Sequence, residues 1–187
     1  MSSNSLSDTK MLNTRSLVTA ALFAALLCIA AYISIPLPIP GSPHITLLNF
    51  VILLIALLFP LPIAFMTILV WMLLGVIGLP VFIGGGAGYG YLLNMWGGYT
   101  LSFLVIAIVL PLIRGRKYNR IRYTIAAIAG ALLIDFLGMI YLKAMGNLPW
   151  KAAFLTGFVP FLPLDLLKAF IAAQIVPAFK KVLPEKM

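Results

Sequence analysis

Residues 156–174 read TGFVPFLPLDLLKAFIAAQ, an almost wholly apolar stretch that holds one acid and one base. Asp165 and Lys168 are three residues apart, so on a helix they lie side by side on one face. Pro160 and Pro163 precede them, and proline suits the first turn of a helix because its missing N–H is not needed there. Asp165 is therefore predicted near a helix N-terminus, where the helix dipole stabilises its negative charge.

The composition of the whole chain places this helix in a membrane. The 187 residues are 63% hydrophobic and 9% charged, with a mean hydropathy of +1.14. Soluble domains carry about 25% charged residues, so this chain lacks the polar surface that water requires. Its apolar runs are continuous rather than alternating, which indicates helices and not a β-barrel. Charges in lipid cost about 2.5–3.5 kcal/mol each, so Asp165 and Lys168 are expected to face inward and to meet a polar ligand.

Six apolar runs predict an all-α, polytopic membrane protein with six transmembrane helices in one compact bundle. The predicted spans are 16–34, 45–59, 63–77, 91–113, 123–144 and 163–179. Residues 16–181 would form the membrane domain, between a cytoplasmic N-terminal tail (1–15) and a cytoplasmic C-terminal tail (182–187).

The distribution of bases predicts the orientation in the cell membrane. Ten bases lie near the two termini and in the 114–122 segment, against two on the opposite side, and basic residues mark the cytoplasmic side. The ten are Lys10, Arg15, Arg114, Arg116, Lys117, Arg120, Arg122, Lys180, Lys181 and Lys186, and the two are Lys143 and Lys151. Both termini are then cytoplasmic, and the Asp165 end of the last span faces outside. This pattern accounts for the net charge of +9 without a nucleic-acid partner.

A glycine-rich segment, GLPVFIGGGAGYG at residues 78–90, falls on the same outer side. Irregular backbone near membrane depth is tolerated where protein buries it or where it lines a cavity. The segment lacks the Gly-Lys-Ser/Thr ending of a nucleotide P-loop and the Thr-Val that precedes Gly-Tyr-Gly in a potassium filter. It is interpreted as a pocket wall. The candidate ligand-binding residues are Phe82, Gly84, Gly85, Gly86, Gly88 and Tyr89 within it and Tyr91 directly after it.

Several polar residues have two interpretations each. The Asp165/Lys168 pair is either a structural pair that neutralises itself or an anchor, in which the ammonium holds a carboxylate and the acid accepts N–H bonds. Asp135, in the middle of the fifth span, lines the cavity, relays a proton, pairs with a base or is hydrogen-bonded structurally. His44 is expected in a surface loop, and with a single Cys28 it makes no metal site.

The first span carries small residues at helical spacing. Ala20 and Ala24 form one Ala-x-x-x-Ala pair, and Ala21 and Ala25 form another. Such a strip serves packing inside the bundle or docking of another membrane subunit. The chain shows no nucleotide-binding motif and no catalytic spacing of Ser, His and Asp, so no enzyme is predicted. Energy for active transport would come from a partner or an ion gradient.

Two motifs resemble the BioY family, the biotin-specific S-components of energy-coupling factor (ECF) transporters. They are GLPVFIGGGAG at 78–88 and VPFLPLDLLKA at 159–169, supported by IPLP at 35–38 and GGY at 97–99. The resemblance covers nearly the whole chain. There are departures: Leu164 stands where the family often has glycine, and Leu48-Asn49 stand where it often has Gln-Thr. Asn49 is still a candidate for a polar ligand contact.

The resemblance implies a six-helix fold that binds biotin in an outward-facing cavity, with no other cofactor. It implies a transmembrane coupling subunit, contacted by the alanines of the first span, and two cytoplasmic ATPases. It also implies that the first outside loop covers the vitamin and that Asp165 and Lys168 serve the ligand. The expected function is thus high-affinity capture of biotin. The alternatives are an S-component for another small vitamin and a self-sufficient secondary transporter, although the two halves of the chain show no evident repeat.

Overall fold

The computed structural model describes residues 14–37 and 44–182, which form eight α-helices and one short hairpin. The helices are α1 (Thr14–Tyr32), α2 (Leu48–Leu58), α3 (Leu61–Val76), α4 (Tyr89–Leu93), α5 (Gly97–Ile113), α6 (Arg120–Gly146), α7 (Trp150–Gly157) and α8 (Leu162–Val182). The strands β1 (Ser34–Pro36) and β2 (His44–Thr46) pair antiparallel, and a 3-10 turn spans Ile83–Gly85.

The six longer helices correspond to the six predicted spans, and α4 and α7 are additional. Two helices have the length and composition to cross a membrane, namely Arg120–Gly146 and the Leu162–Lys181 part of α8. The other apolar helices are shorter. The shortest of the six longer helices, α2, has 11 residues and is about 16 Å long at 1.5 Å per residue. It is therefore shorter than the roughly 30 Å hydrocarbon core of a bilayer.

The predicted second span began too early. Ile45 and Thr46 belong to β2, where Ile45 pairs with Ile35 of β1, and α2 begins only at Leu48. The Thr46 hydroxyl accepts a hydrogen bond from the Leu48 backbone N–H at 3.0 Å, which satisfies a donor at the start of the helix. Of the IPLP motif at 35–38, Pro36 ends β1, whereas Pro38 lies outside the described residues, as do Pro40 and Pro43.

The predicted fourth span is in fact two helices. The chain is extended at Asn94, whose side-chain oxygen accepts the Trp96 backbone N–H at 2.8 Å. The backbone oxygen of Asn94 accepts the Gly97 N–H at 3.0 Å, so a turn separates α4 from α5. Tyr91 consequently belongs to α4, directly after the glycine-rich segment, rather than to the long helix α5.

A second unpredicted element follows α6. The helix ends at Gly146, and Asn147 adopts a left-handed conformation with φ of 47°, which asparagine tolerates well. Pro149 then precedes α7, in which Ala153 is buried. The segment between the predicted fifth and sixth spans therefore contains a helix that packs on α6.

The helix α2 is the centre of the bundle. All its residues except Phe50 are buried, and it contacts α1, α3, α5, α6 and α8. A helix that is apolar on every side needs such enclosure. Helices α5 and α6 approach closely at Gly98, where an added Cβ would lie 2.1 Å from the Tyr141 Cβ atom. The close packing predicted from Gly97-Gly98 is confirmed.

Candidate functional site

A cavity of about 160 Å³ opens at the end of the bundle where α2 and α5 begin. Side chains reach it from the hairpin, the 3-10 turn, four helices and two of the connecting segments. Its lining residues are His44, Thr46, Asn49, Ile83, Tyr91, Asn94, Trp96, Tyr99, Asp135 and Phe161.

Aromatic rings form one wall of the cavity. The ring centroids of Tyr99 and Phe161 are 5.5 Å apart, and Trp96 lies 5.8 Å from Tyr99 and 6.4 Å from Phe161. The Tyr99 hydroxyl donates a hydrogen bond to the Gly157 carbonyl, which ties α5 to α7. The lining face of these rings offers the apolar and stacking surface on which small ring-shaped ligands bind.

The acid–base pair, Asp165 and Lys168, is hydrogen-bonded to two lining residues, Thr46 and Asn49. The Lys168 ammonium donates to Asp165 Oδ1 at 2.7 Å and to the Thr46 backbone oxygen at 2.9 Å. The other carboxylate oxygen of Asp165 accepts the Asn49 side-chain amide at 2.9 Å. Asp165 sits in the first turn of α8, as its spacing from the prolines predicted. These bonds connect α8 to β2 and α2.

The pair and its partners differ in their access to the cavity. Asp165 is buried and Lys168 is part-buried, and neither belongs to the lining, whereas Asn49 and Thr46 do. The structure thus brings Asp165, Lys168 and Asn49 together in one network, with Asn49 as its cavity-facing member. Whether Asp165 and Lys168 touch a ligand stays a prediction.

The candidate residues in and next to the glycine-rich segment also differ in whether they line the cavity. Ile83 and Tyr91 line the cavity, whereas Phe82 is fully buried and stacks beneath Tyr91 with ring centroids 4.8 Å apart. Tyr89 is 71% exposed and lies outside the lining.

Two of the predicted glycines make room for lining side chains. A Cβ atom at Gly86 would lie 2.5 Å from the Tyr91 ring, and one at Gly84, where φ is 67°, would lie 3.3 Å from the His44 ring. Gly85 approaches Tyr32 instead, and Gly88 has open space around it. The segment therefore shapes the wall chiefly through Gly84 and Gly86.

Several lining residues were not predicted. His44, expected on the surface, is half-buried, and its Nδ1 lies 3.1 Å from the Ser34 hydroxyl across the hairpin. Asn94, Trp96, Tyr99 and Phe161 were missed as well. Tyr99 and Phe161 lie within the GGY and PFLP motifs, so proximity to those motifs was a signal that sequence reasoning left unused.

The structure also resolves the position of Asp135. It lies on α6, is 1% exposed and lines the cavity, and its carboxylate is within electrostatic reach of Asp165 and Lys168. Neither oxygen has a hydrogen-bond partner among the described residues. Asp135 therefore lines the cavity, as one interpretation expected, while its roles as a proton relay, as the partner of a base or as a structural hydrogen-bonding group stay predictions.

The alanines of α1 do not form a single exposed strip. Ala21 and Ala25 are exposed, Ala20 is half-buried, and Ala24 is buried at 7% exposure. Ala24 packs inside the bundle, so its predicted place on a docking surface is wrong. Only Ala21 and Ala25 offer small side chains to a neighbour.

Charge separates along the bundle. Of the four acids in the sequence, the two that the structure describes, Asp135 and Asp165, both lie toward the cavity end. The far end carries a basic cluster, formed by Arg114, Arg116, Lys117, Arg120, Arg122, Lys180 and Lys181. The two ends of the molecule are thus electrostatically distinct.

Comparisons with known proteins agree on one family. The model of the BioY family matches residues 3–185. The biotin transporter BioY2 of Lactococcus lactis subsp. cremoris (strain MG1363) is 34% identical over 164 residues, which cover 86% of this chain and 88% of that protein. The biotin transporter BioY of Thermotoga maritima is 34% identical over 172 residues, covering 92% and 99%.

The comparison with solved structures agrees with the sequence comparisons. The crystal structure of the S-component for biotin from an ECF-type ABC transporter superposes with a TM-score of 0.79 and 26% sequence identity. The match covers 91% of this chain and 95% of that one. Sequence and fold together show that the chain belongs to the BioY family.

Proposed function

We propose that this protein is the substrate-capture subunit, or S-component, of an ECF transporter and that its ligand is biotin. The observation that carries the proposal is the cavity at one end of the bundle, in which an aromatic wall faces Asn49 and Asp135. Biotin combines a fused bicyclic ring system, a ureido group and a carboxylate, so it needs apolar contact and polar partners in one small site. The names of the two relatives and of the solved neighbour support this choice.

The proposed binding site consists of residues that contact the ligand and residues that hold those in place. Tyr91, Asn49 and the backbone at Gly84 and Gly86 would contact the ligand. Phe82, behind Tyr91, would hold that ring in place. Gly85, Gly88 and Tyr89 would belong to the segment that closes over the ligand. Asp165 and Lys168 would serve the ligand through Asn49 and Thr46, or directly after a small movement of Lys168, which keeps some exposure.

The proposed arrangement in the cell membrane is multi-pass, with the cavity facing outside. The basic end would be cytoplasmic, in keeping with the enrichment of Lys and Arg on that side. Both termini would then be cytoplasmic, with residues 1–15 and 182–187 as tails and 16–181 as the membrane domain. The hairpin and the glycine-rich segment would lie at the outer surface, where the vitamin enters.

The proposed partners are a transmembrane coupling subunit and two cytoplasmic ATPases. The protein has no role as an enzyme in this scheme, because the ATPases would hydrolyse ATP. Ala21 and Ala25 on α1 would contact the coupling subunit, since small side chains let helices approach closely in lipid.

Biotin binding by the purified protein in detergent tests the function, measured by isothermal titration calorimetry alongside other small vitamins. We expect tight binding of biotin alone. Lys168→Ala and Asp165→Asn should each weaken it by about 10-fold or more, because each breaks a charge-assisted hydrogen bond next to the cavity wall. Lys151→Ala is the matched control, since it removes an exposed base outside the lining.

Three results would contradict this proposal. Preference for another vitamin would support an S-component of different specificity. Unchanged affinity in both variants would remove the acid–base pair from the site. Uptake of biotin into vesicles that contain this subunit alone, without ATPases, would support a self-sufficient transporter.

A further inference from the structure

A groove of about 400 Å³ lies on the outside of the bundle, at the end that carries the basic cluster. It shares no lining residue with the ligand cavity. It runs along the start of α6 beside the last residue of α5, and its lining includes Ile113, Ile121, Arg122, Ile125, Ala126 and Ala129. Whatever binds in this groove would therefore do so independently of the vitamin.

The α6 side of the groove is apolar and turned away from the core. Ile121, Ile125 and Ala129 are four residues apart, so they form one face of the helix, and all three are exposed. Ala126, which also lines the groove, is buried, and the two small alanines leave room between the larger side chains. From 121 to 129 the helix rises about 12 Å, close to the roughly 15 Å depth of one leaflet's hydrocarbon. This face suits one extended acyl chain.

Arg122 places a fixed positive charge in the wall of the groove. Its Nε–H donates to the Ile113 carbonyl at 2.9 Å, and its backbone N–H donates to the Asn119 side chain at 3.0 Å. Gly115 leaves room for the guanidinium, since a Cβ atom there would lie 2.8 Å from Arg122 Nη1. No residue that the structure describes accepts a hydrogen bond from the two terminal nitrogens of Arg122. Both are therefore available to a phosphate group, with which arginine forms bidentate pairs.

The charges around the groove favour an anion. The basic cluster has no acidic partner within residues 14–37 and 44–182, where the one ion pair joins Lys168 to Asp165 at the other end of the bundle. Basic pockets beside transmembrane helices bind the headgroups of anionic lipids. An anionic phospholipid offers both a phosphate for Arg122 and an acyl chain for the apolar face.

We propose that this groove binds one anionic phospholipid, with its phosphate on Arg122 and one acyl chain along Ile121, Ile125 and Ala129. In the orientation proposed above, the lipid belongs to the cytoplasmic leaflet. A second copy of this chain is a poorer occupant, because a symmetric contact would bring two basic clusters together. The bound lipid would hold the end of α5 against the start of α6 without touching the ligand cavity.

Native mass spectrometry of the full chain in detergent tests the site. The probes are dioleoylphosphatidylglycerol and dioleoylphosphatidylcholine, which have the same acyl chains and differ in net charge. Wild type should bind the first molecule of the anionic lipid at least about 5-fold more tightly than the neutral lipid, the factor expected for one basic residue near a headgroup. The anionic lipid should also raise the melting temperature more, because a ligand of the folded state stabilises it.

Two variants separate the contribution of charge from that of the groove. Arg122→Gln should remove most of the preference for the anionic lipid, whereas Arg116→Gln, at an exposed base outside the lining, should keep it. Ala129→Phe fills the groove and keeps every base, so it should weaken binding of the anionic lipid by at least about 5-fold through steric overlap. Ala144→Phe, at an exposed alanine near the other end of α6, is its control and should match wild type.

Several outcomes would overturn the proposal. Equal affinity of wild type for the two lipids would do so, as would unchanged lipid binding in Arg122→Gln or in Ala129→Phe. Inorganic phosphate that stabilises wild type as much as the anionic lipid does would exclude a role for the acyl chain. A dimer that Ala129→Phe abolishes, with lipid binding unchanged, would assign the groove to a second copy instead. None of these measurements uses biotin, so failure of the proposed function and failure of the lipid site are distinguishable.

Discussion

Gly138 and Gly157 leave the space that Tyr99 occupies in the aromatic wall. A Cβ atom at Gly138 would lie 2.2 Å from Tyr99 Cδ1, and one at Gly157 would lie 2.8 Å from the Tyr99 hydroxyl oxygen. The orientation of this lining ring is therefore determined by the absence of side chains on α6 and α7. Residues that never touch the ligand can control the shape of its site in this way.

Replacing Gly138 with alanine should displace Tyr99 and weaken biotin binding by about 10-fold. Over-packing costs about 1–3 kcal/mol, and the better helix propensity of alanine returns about 1 kcal/mol, so stability should fall slightly or stay level. Gly130→Ala on the same helix is the control, because its nearest neighbours are the ends of Leu53 and Leu110, which can move. Calorimetry and thermal unfolding in detergent measure both effects. Wild-type affinity in Gly138→Ala would contradict the role of Gly138.

At the scale of elements, the Arg114 side chain links helices rather than marking an exposed loop. It is 7% exposed and donates to the Phe59 carbonyl at 2.8 Å and to the Tyr123 hydroxyl at 2.6 Å. Phe59 is the C-terminal cap of α2, where carbonyls lack helical partners and the dipole favours a cation. Lys180 of α8 donates to the same Tyr123 hydroxyl at 3.1 Å. Four helices are therefore joined here.

Arg114→Lys should destabilise the protein by about 1.5–3 kcal/mol, because an ammonium cannot replace both directed hydrogen bonds of the guanidinium. Biotin affinity should change little, since the cluster is at the opposite end from the cavity. Thermal unfolding in detergent measures the loss. Arg116→Lys is the control, because Arg116 is exposed and the charge is the same. Equal melting temperatures for the two variants would rule out this role.

Across the whole molecule, the separation of the basic end from the cavity end predicts a testable orientation. In a Cys28→Ala background, Lys151→Cys should react with a membrane-impermeant maleimide added to intact cells. Arg116→Cys should react only after the cells are permeabilised, because both side chains are exposed but lie at opposite ends. The reverse labelling pattern would invert the proposed topology and turn the cavity toward the cytoplasm.

Composition and short-range spacing were enough to predict part of this protein. The apolar runs indicated a helical membrane protein, and the spacing of Asp165 and Lys168 indicated their ion pair, because neighbours on one helix turn meet whatever the rest of the chain does. The glycine-rich segment was recognisable as a wall because its backbone suits no regular helix. These features depend on a few adjacent residues.

Only the tertiary structure decided which side chains face the cavity. Asn49 meets Asp165 across 116 positions of sequence, and His44 reaches the cavity through strand pairing. Asp135 lines the cavity from α6, whereas Lys168 does not belong to the lining. Helix rotation and long-range packing set these outcomes, and neither is encoded in the spacing of a single segment. The sequence by itself determined the class of protein and the residues available to its site. The packing of the bundle determined which of them a ligand can reach.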